Sequence, residues 1–215
     1  MKSTAFALAS LLALGCTSPD VKAPAAQTWR EKWDAFPKSA VEPAADDVVV
    51  FREIEFRVPV QRDVFVTDFL AGPLEAFIPG TTKLPGVHHT EPLTAAPYPE
   101  VGSVRLVCLS DGNMAEERVL AVDHDHLRYF VRNYTTPEAA PIAYAIGEFT
   151  FHDVGPETRI TWRYSFHLRD DRFPGSLGFV GRKLFRASFL DSDYAEMMDS
   201  IAVAIQTYAT RKRPL

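Results

Sequence analysis

The sequence predicts an α+β fold in which a long C-terminal helix covers one face of an antiparallel sheet of about seven strands. Segments rich in β-branched and aromatic residues follow one another from residue 103 to residue 168, and the short turns between them are typical of antiparallel neighbours. The last fifth of the chain has apolar residues at helical spacing instead. A sheet with one apolar face must bury that face, and this helix is the obvious cover.

The strands and helices follow a simple order within residues 48–215, the predicted domain. The first strand alternates apolar and polar residues and ends before Pro59. The final helix begins near Asp193, and its apolar residues recur three and four positions apart. Between them the sequence predicts two short helices at 62–70 and 73–78, and strands at 88–93, 103–110, 115–122, 127–134, 143–151 and 158–168.

The N-terminal segment has the pattern of an export signal. After Met1 and Lys2 comes an apolar run of about ten residues, well short of the roughly 20 needed to span a bilayer. The run ends in Leu-Ala-Leu-Gly-Cys at 12–16, which resembles the lipobox of bacterial lipoproteins. The resemblance implies that diacylglycerol is attached to Cys16 and that a peptidase removes residues 1–15. An ordinary secretory signal with a chance cysteine is the alternative.

Lipid on Cys16 would hold the chain on a membrane of the bacterial cell envelope. Each buried acyl methylene contributes roughly 0.8 kcal/mol, and two or more chains give stable anchoring. Thr17 and Ser18 follow the cysteine, so the family's inner-membrane retention signal, an Asp directly after it, is absent. This favours the periplasmic face of the outer membrane.

Composition narrows the classes of partner. Without residues 1–15, which contain one charged residue, Lys2, the chain has 22 basic and 28 acidic residues. A mildly acidic chain without a basic stripe does not fit a nucleic-acid-binding protein. Once Cys16 carries lipid, Cys108 is the one remaining cysteine, which excludes an internal disulfide framework. Cys108 lies in a strand pattern, so we expect a buried, inert thiol.

Residues 16–47 are predicted to form a flexible tether, because they are rich in Ala, Pro, Ser and Asp. Within the tether, Thr28 is a good cap for a short helix that carries Trp29, Trp33 and Phe36 at helical spacing. This apolar stripe would either dock on the main domain or lie at the lipid interface, and docking is the preferred interpretation.

Several stretches resemble the helix-grip proteins, the START-like or SRPBCC superfamily, and especially its polyketide cyclase/dehydrase-like bacterial members. They are Asp-Val-Phe-Val-Thr-Asp-Phe-Leu at 63–70, Val-Gly-Ser-Val-Arg at 101–105, Ala-Glu-Glu-Arg-Val at 115–119, Leu-Arg-Tyr-Phe-Val at 127–131 and Gly-Pro-Glu-Thr-Arg-Ile-Thr-Trp at 155–162. The likeness spans residues 48–210. It implies a curved sheet wrapped round the long helix, with an apolar cavity between them. Members bind lipids, sterols, polyketides and plant hormones, and a minority are enzymes.

Strand alternation gives the cavity-facing candidates. The last strand must turn its aromatic set inward, away from Arg159 and Arg163, and the strand at 127–134 turns Leu127 inward. On the strand at 115–122, the family pattern places Glu117, Val119 and Ala121 inside. For 143–151, either Tyr144 and Ile146 or Ala145 and Phe149 could face inward. The predicted ligand-binding residues are Glu117, Val119, Tyr129, Val131, Ile160, Trp162, Tyr164, Phe166, Met198, Ile201 and Ile205. The alternative is that these side chains fill a solid core.

Sequence motifs for catalysis or metal binding are weak. Along a strand, only alternate members of His88-His89-Thr90-Glu91 share a face, and two ligands do not make a zinc site. The Asp-His-Asp-His stretch at 123–126 suits a solvated turn. No metal and no cofactor is therefore predicted. Glu117 is the one inward carboxylate, which either acts as a base or pairs with an arginine on a neighbouring strand.

Three functions remain. The preferred one is a membrane-anchored lipoprotein whose domain binds a hydrophobic small molecule or lipid in an internal cavity, without catalysis. The second is a cyclase or hydrolase that uses Glu117 and a cavity tyrosine. The third is a structural or partner-binding envelope lipoprotein with a filled core, for which the protein partner is unknown and an exposed apolar patch near Trp29 and Trp33 would be expected.

Overall fold

The computed structural model describes residues 28–211, so Cys16 and the rest of the lipobox lie outside the described residues. The helices are α1 (Trp29–Ala35), α2 (Arg62–Ala71), α3 (Leu74–Phe77), α4 (Gly178–Phe185) and α5 (Asp193–Arg211). The strands are β1 (Val49–Val58), β2 (Val87–Pro92), β3 (Val104–Leu109), β4 (Met114–Val122), β5 (His126–Arg132), β6 (Ile142–Val154) and β7 (Glu157–Leu168).

The seven strands form one antiparallel sheet in the order β1-β7-β6-β5-β4-β3-β2. Strands β2 to β7 follow as a meander, and α2 and α3 carry the chain from β1 at one edge to β2 at the other. Glycine stands where two of the tight turns require a positive φ. Gly112, between β3 and β4, has φ of 88°, and Gly155, between β6 and β7, has φ of 64°, a region that glycine adopts without steric cost. The predicted fold class is confirmed.

Helix α5 lies against the inner face of the sheet and supplies the apolar stripe that the sequence predicted. Met198, Ile201 and Ile205 are buried in the same cluster as Phe149 and Trp162 of the sheet. Helix α2 adds Phe65 and Phe69, whose rings contact those of Phe149 and Phe151. The main core is therefore a layer between the sheet and its covering helices.

Helix α1 packs on the opposite, outer face. Thr28 and Glu31 form a reciprocal capping box, which fixes the start of this short helix. Trp33 is 3% exposed and packs with Leu106, Cys108 and Met114, beside the partly buried Trp29 and Phe36. The preferred prediction, that this stripe docks on the main domain, is confirmed.

The chain between α1 and β1 stays on that outer face. Asn133 Oδ1 accepts a bond of 2.8 Å from the Ser39 backbone amide, and Glu42 pairs with Arg118 and Arg132. The Tyr144 hydroxyl donates to the Asp47 carboxylate. Residues 28–47, which the sequence assigned to the tether, thus follow the sheet surface.

Three details differ from the sequence expectation or resolve it. A β-bulge between Val119 and Ala121 moves Ala121, expected inside, to pair with the exposed Arg128 on the outer face. On β6, the inward set contains Ala145 and Phe149. The segment after β7, which had no predicted structure, forms α4 and a π-helical turn, Arg186–Leu190. Within residues 28–211, no helix combines the length and apolarity needed to cross a bilayer.

Candidate functional site

A cavity of about 190 Å³ lies between the inner face of the sheet and helix α5. Apolar side chains form most of its wall, with contributions from α2, α3, the sheet and α5. The lining includes Phe69, Phe77, Val107, Ala115, Leu127, Phe149, Met197 and Ile205. The core is therefore not completely filled, in spite of its many aromatic rings.

One buried ion pair supplies the charge in the cavity wall. Glu117 on β4 and Arg105 on β3 are cross-strand partners, and the arginine Nε and Nη2 atoms lie 2.8 and 2.6 Å from Glu117 Oε1. The two side chains are 7% and 10% exposed. The Tyr98 ring stacks on the guanidinium, with 3.6 Å between the ring centroid and Arg105 Cζ. The pair neutralises itself, so the cavity presents polarity without net charge.

Tyrosines form the second polar feature of the wall. Burial raises the pKa of Tyr164 to about 12, and burial raises the pKa values of Tyr129, Tyr134 and Tyr194 well above their usual range. All four hydroxyls therefore stay protonated near neutral pH. They can donate hydrogen bonds to a ligand but are poor bases.

Trp162 offers a further donor. It lines the cavity, and within the described part of the chain its buried indole Nε1 has no partner that meets full hydrogen-bond geometry. It does approach the Tyr129 hydroxyl closely enough to oppose, weakly, the effect of burial on that tyrosine's pKa. A buried N–H that lacks a bond is costly, so a ligand oxygen at this position would be favoured.

Gly147 on β6 makes room for the ring of Tyr129, its cross-strand partner on β5. A methyl group at this position would overlap the Tyr129 ring. We therefore expect Gly147→Ala to lower the free energy of unfolding by about 1–3 kcal/mol, because the ring has to move into a packed wall. Denaturant unfolding measures this cost. Most of it should disappear when Tyr129→Leu is added, and equal costs in the two backgrounds would contradict the explanation.

A wider cleft of about 540 Å³ lies beside the cavity. Its wall includes α4 and the π-helical turn, through Leu184, Phe185 and Phe189. The residues that the cleft shares with the inner cavity are Pro85, Leu109, Tyr134, Tyr164, Tyr194 and Met197. The hydroxyl oxygens of Tyr134 and Tyr164 are 3.4 Å apart, so a layer of tyrosines separates the two spaces. We call these spaces the inner cavity and the outer cleft.

The structure distributes the predicted ligand-binding residues among three places. Those that line the inner cavity are Glu117, Tyr129, Val131, Trp162, Tyr164, Ile201 and Ile205. Phe166 lines the outer cleft, which Tyr164 also borders. Val119, Ile160 and Met198 belong to the same buried core but contact neither space. One part of the predicted inward set thus lines the cavity, and the rest lines the outer cleft or packs in the buried core.

Sequence reasoning missed Arg105, Tyr98, Tyr134 and Tyr194. Arg105 had a usable signal, because an arginine on a strand near Glu117 was one of the two explanations considered for that carboxylate, and the cross-strand register joins them. Tyr98 comes from a loop and Tyr194 from the start of α5, where alternation gives no direction. Tyr134 follows the end of β5 at Arg132, although the sequence predicted that the strand continues to residue 134. Their common feature is only proximity in the folded chain.

The histidine-rich stretch on β2 lies beside Cys108 of β3, a neighbour that the sequence of β2 alone does not reveal. Cys108 on β3 is the cross-strand partner of His89, and ligand atoms of His89, Glu91 and Cys108 lie within 4.8 Å of one another under α1. His89 Nε2 is 3.1 Å from Glu91 Oε1. Burial raises the pKa of the Cys108 thiol to about 12. The thiol is therefore protonated and inert as a nucleophile, as expected for a buried cysteine.

The other candidate stretch is a turn, as the sequence indicated. The backbone amide of Asp125 donates to Asp123 Oδ1 at 3.0 Å, which is the hydrogen bond of an Asx-turn. His124 is 70% exposed and lies near both carboxylates. Solvation and the local turn account for these residues.

A curved antiparallel sheet around a long helix, with an apolar cavity between them, defines a helix-grip domain. Solved structures share this fold. Ara h 8.0201 has a TM-score of 0.56 at 15% identity over 77% of this chain and 100% of that one. The ZhuI aromatase/cyclase from Streptomyces sp. R1128 has a TM-score of 0.55 at 14% identity, covering 77% of this chain and 96% of that one. Norcoclaurine synthase from Thalictrum flavum, in complex with dopamine and hydroxybenzaldehyde, has a TM-score of 0.53 at 12% identity, covering 83% and 99%.

The shared feature is the fold, since identities of 12–15% carry no residue-level argument. No protein-family model matches the chain, and no curated protein matches it in sequence. What the domain binds must therefore be argued from its own cavity.

Proposed function

We propose that this protein binds an uncharged, largely apolar small molecule or lipid in its inner cavity and outer cleft, and that lipid on Cys16 holds it at the bacterial envelope. One observation carries the binding proposal: the apolar cavity has a single, self-neutralised ion pair, Arg105–Glu117, and several protonated hydroxyls. A charged ligand would find no free counter-charge there. A ligand with one or two hydrogen-bonding groups would find donors.

The size and the wall of the two spaces suit such a ligand. Small-molecule sites typically occupy about 300–1,000 Å³, with apolar walls and a few placed polar groups. The inner cavity alone, at about 190 Å³, accepts only part of a drug-sized molecule, whereas the outer cleft adds about 540 Å³. Burial contributes roughly 2.5 kcal/mol for each 100 Å² of apolar ligand surface before ordering costs. The ligand would extend through the tyrosine layer, with its polar group near Trp162 or Tyr129.

Native mass spectrometry tests the proposal directly. The chain from Thr17 onward, which keeps every described residue, would be exported to the envelope of a bacterial host and purified without detergent. We expect a bound compound of lipid-like mass that is lost on denaturation. A clean apo mass, together with no uptake of a panel of phospholipids, fatty alcohols and sterols, would contradict a carrier or sensor role.

An enzymatic role is the second candidate, favoured by the presence of Glu117 and Tyr129 in one cavity wall. The Glu117 carboxylate is held by the Arg105 guanidinium, and this ion pair accounts for its place in the wall without a catalytic role. Glu117→Gln separates the two roles. A carrier keeps its ligand in this variant, whereas a cyclase or hydrolase accumulates unreacted substrate in the cavity.

The third function, a filled-core structural lipoprotein, lacks the features expected of it. Trp33 is buried rather than exposed, and it packs with the outer face of the sheet. The space inside the domain is likewise open. These two observations support a ligand-binding role over a scaffold.

A further inference from the structure

The chain between β7 and α5 exposes an apolar surface. Phe179 and Val180 on α4 are each 63% exposed, Phe173 is 62%, Leu177 is 51% and Leu184 is 43%. Single exposed apolar residues are ordinary, but these five fall within twelve residues of one another. We call them the α4 face.

The segment that carries the α4 face contributes charges of one sign. Between Asp171 and Asp191 the chain has Arg172, Arg182, Lys183 and Arg186 and no acidic residue, although the whole protein has a net charge of −5. Lys183 Nζ lies 4.5 Å from the centroid of the Phe179 ring. A short amphipathic helix with bulky apolar residues and lysine or arginine beside them is the pattern of a segment that lies in a lipid interface.

The α4 face also borders the mouth of the ligand site. Phe173 and Leu184 belong both to the exposed face and to the wall of the outer cleft, and the cleft adjoins the inner cavity through Tyr134, Tyr164 and Tyr194. Glu138 is the one acidic residue in the wall of the cleft. A surface that rests on the α4 face would therefore cover the opening of the cleft.

We propose that the α4 face docks on the surface of an anionic lipid bilayer and opens the outer cleft toward the lipid, so that a ligand passes between membrane and cavity without crossing water. This inference rests on the proposed ligand-binding function and names the place of loading. Charge selects the partner, because Arg172 and Lys183 are exposed and complement anionic headgroups, while Phe179 and Val180 reach the acyl boundary.

Flotation with lipid vesicles tests the docking. The chain from Thr17 onward has no lipid anchor, so its own surface must account for binding. We expect it to float with vesicles of equal parts phosphatidylglycerol and phosphatidylethanolamine and much less with pure phosphatidylcholine. The double variant Phe179→Ser/Val180→Ser should lower the partition coefficient at least tenfold, because the loss of one well-buried apolar side chain alone lowers it about tenfold. Lys183→Gln should lower it about fivefold at low salt.

Val203→Ser is the matched control, because Val203 is 61% exposed on α5, away from the α4 face. It should float like the wild type, and all variants should show wild-type circular dichroism. Equal flotation of the double variant at 179 and 180 and of the Val203→Ser chain, or no flotation of the wild type, would overturn the proposal. A dimer that the double variant at 179 and 180 dissociates, without vesicle binding by the wild type, would assign the α4 face to a second copy of the chain and also overturn the proposal.

Ligand binding and docking can fail separately. Native mass spectrometry on the same preparations reports the bound compound. A double variant at 179 and 180 that keeps its ligand but no longer floats supports the α4 face as the docking surface. If the wild-type chain carries ligand but binds to none of the vesicles, the docking inference is wrong and the proposed ligand-binding function is unaffected.

Discussion

Replacing Arg105 by methionine is expected to lower the free energy of unfolding by about 3–5 kcal/mol. The substitution leaves the Glu117 carboxylate, 7% exposed, in an apolar wall without the two bonds of 2.6 and 2.8 Å that the guanidinium provides. It also removes the cation that stacks on the Tyr98 ring. Urea unfolding of the two chains at neutral pH measures the difference.

Two controls separate the lost pair from the lost side chain. In Arg105→Met with Glu117→Leu, both charges disappear together, so most of the stability should return. Arg57→Met removes an exposed pair with Glu157, whose side chains are 55% and 42% exposed, and should cost less than about 1 kcal/mol. A cost below about 1 kcal/mol for Arg105→Met itself would mean that water in the cavity solvates Glu117, and would make the pair a poor marker of a dry site.

The inward face of β7 was predictable because apolar residues line that face and polar residues line the other. Thr158, Ile160, Trp162, Tyr164 and Phe166 alternate with polar residues on β7, and all five are buried as expected. One apolar face and one polar face leave a period of two in the sequence, which needs no knowledge of the partner strands.

Strand β6 was ambiguous for a physical reason. Tyr144 points outward yet is 1% exposed, because residues 28–47 cover the outer face and Asp47 accepts a bond from its hydroxyl. A strand buried on both faces is apolar on both, so alternation cannot choose between Tyr144 and Ala145. The bulge after Val119 had no signal either, because a one-residue insertion leaves the composition of the strand unchanged.

The cavity itself was beyond prediction. Its aromatic wall and a solid aromatic core would have the same sequence pattern, and the difference lies in how rings such as Tyr129 and Phe149 stack. Helix α4 was missed because its apolar residues face outward in part, so its spacing does not resemble that of a helix packed on a core. Glu117 was placed correctly in the wall by the family pattern, and its arginine partner followed only from the register.

Filling the inner cavity should abolish ligand binding while the fold survives. Ala115 on β4 lines the cavity and is 4% exposed, so Ala115→Phe directs a ring into empty space. We expect affinity for the neutral fluorophore N-phenyl-naphthylamine to fall at least a hundredfold, about 2.7 kcal/mol. The free energy of unfolding should stay the same or rise, since the new ring occupies volume that no side chain fills. Fluorescence titration and urea unfolding give the two quantities.

The matched control is Ala121→Phe, which lies on the same strand beyond the bulge and points to the outer face. It should bind the fluorophore like the wild type. Unchanged binding in Ala115→Phe would show that the inner cavity is not the site, and a loss in Phe166→Ala would then place the ligand in the outer cleft, which Phe166 lines. Loss in Ala115→Phe alone requires the ligand to pass the layer of Tyr134, Tyr164 and Tyr194. That passage is what a membrane-facing mouth at α4 would serve, because an apolar molecule would then leave the bilayer for the cavity without exposure to water.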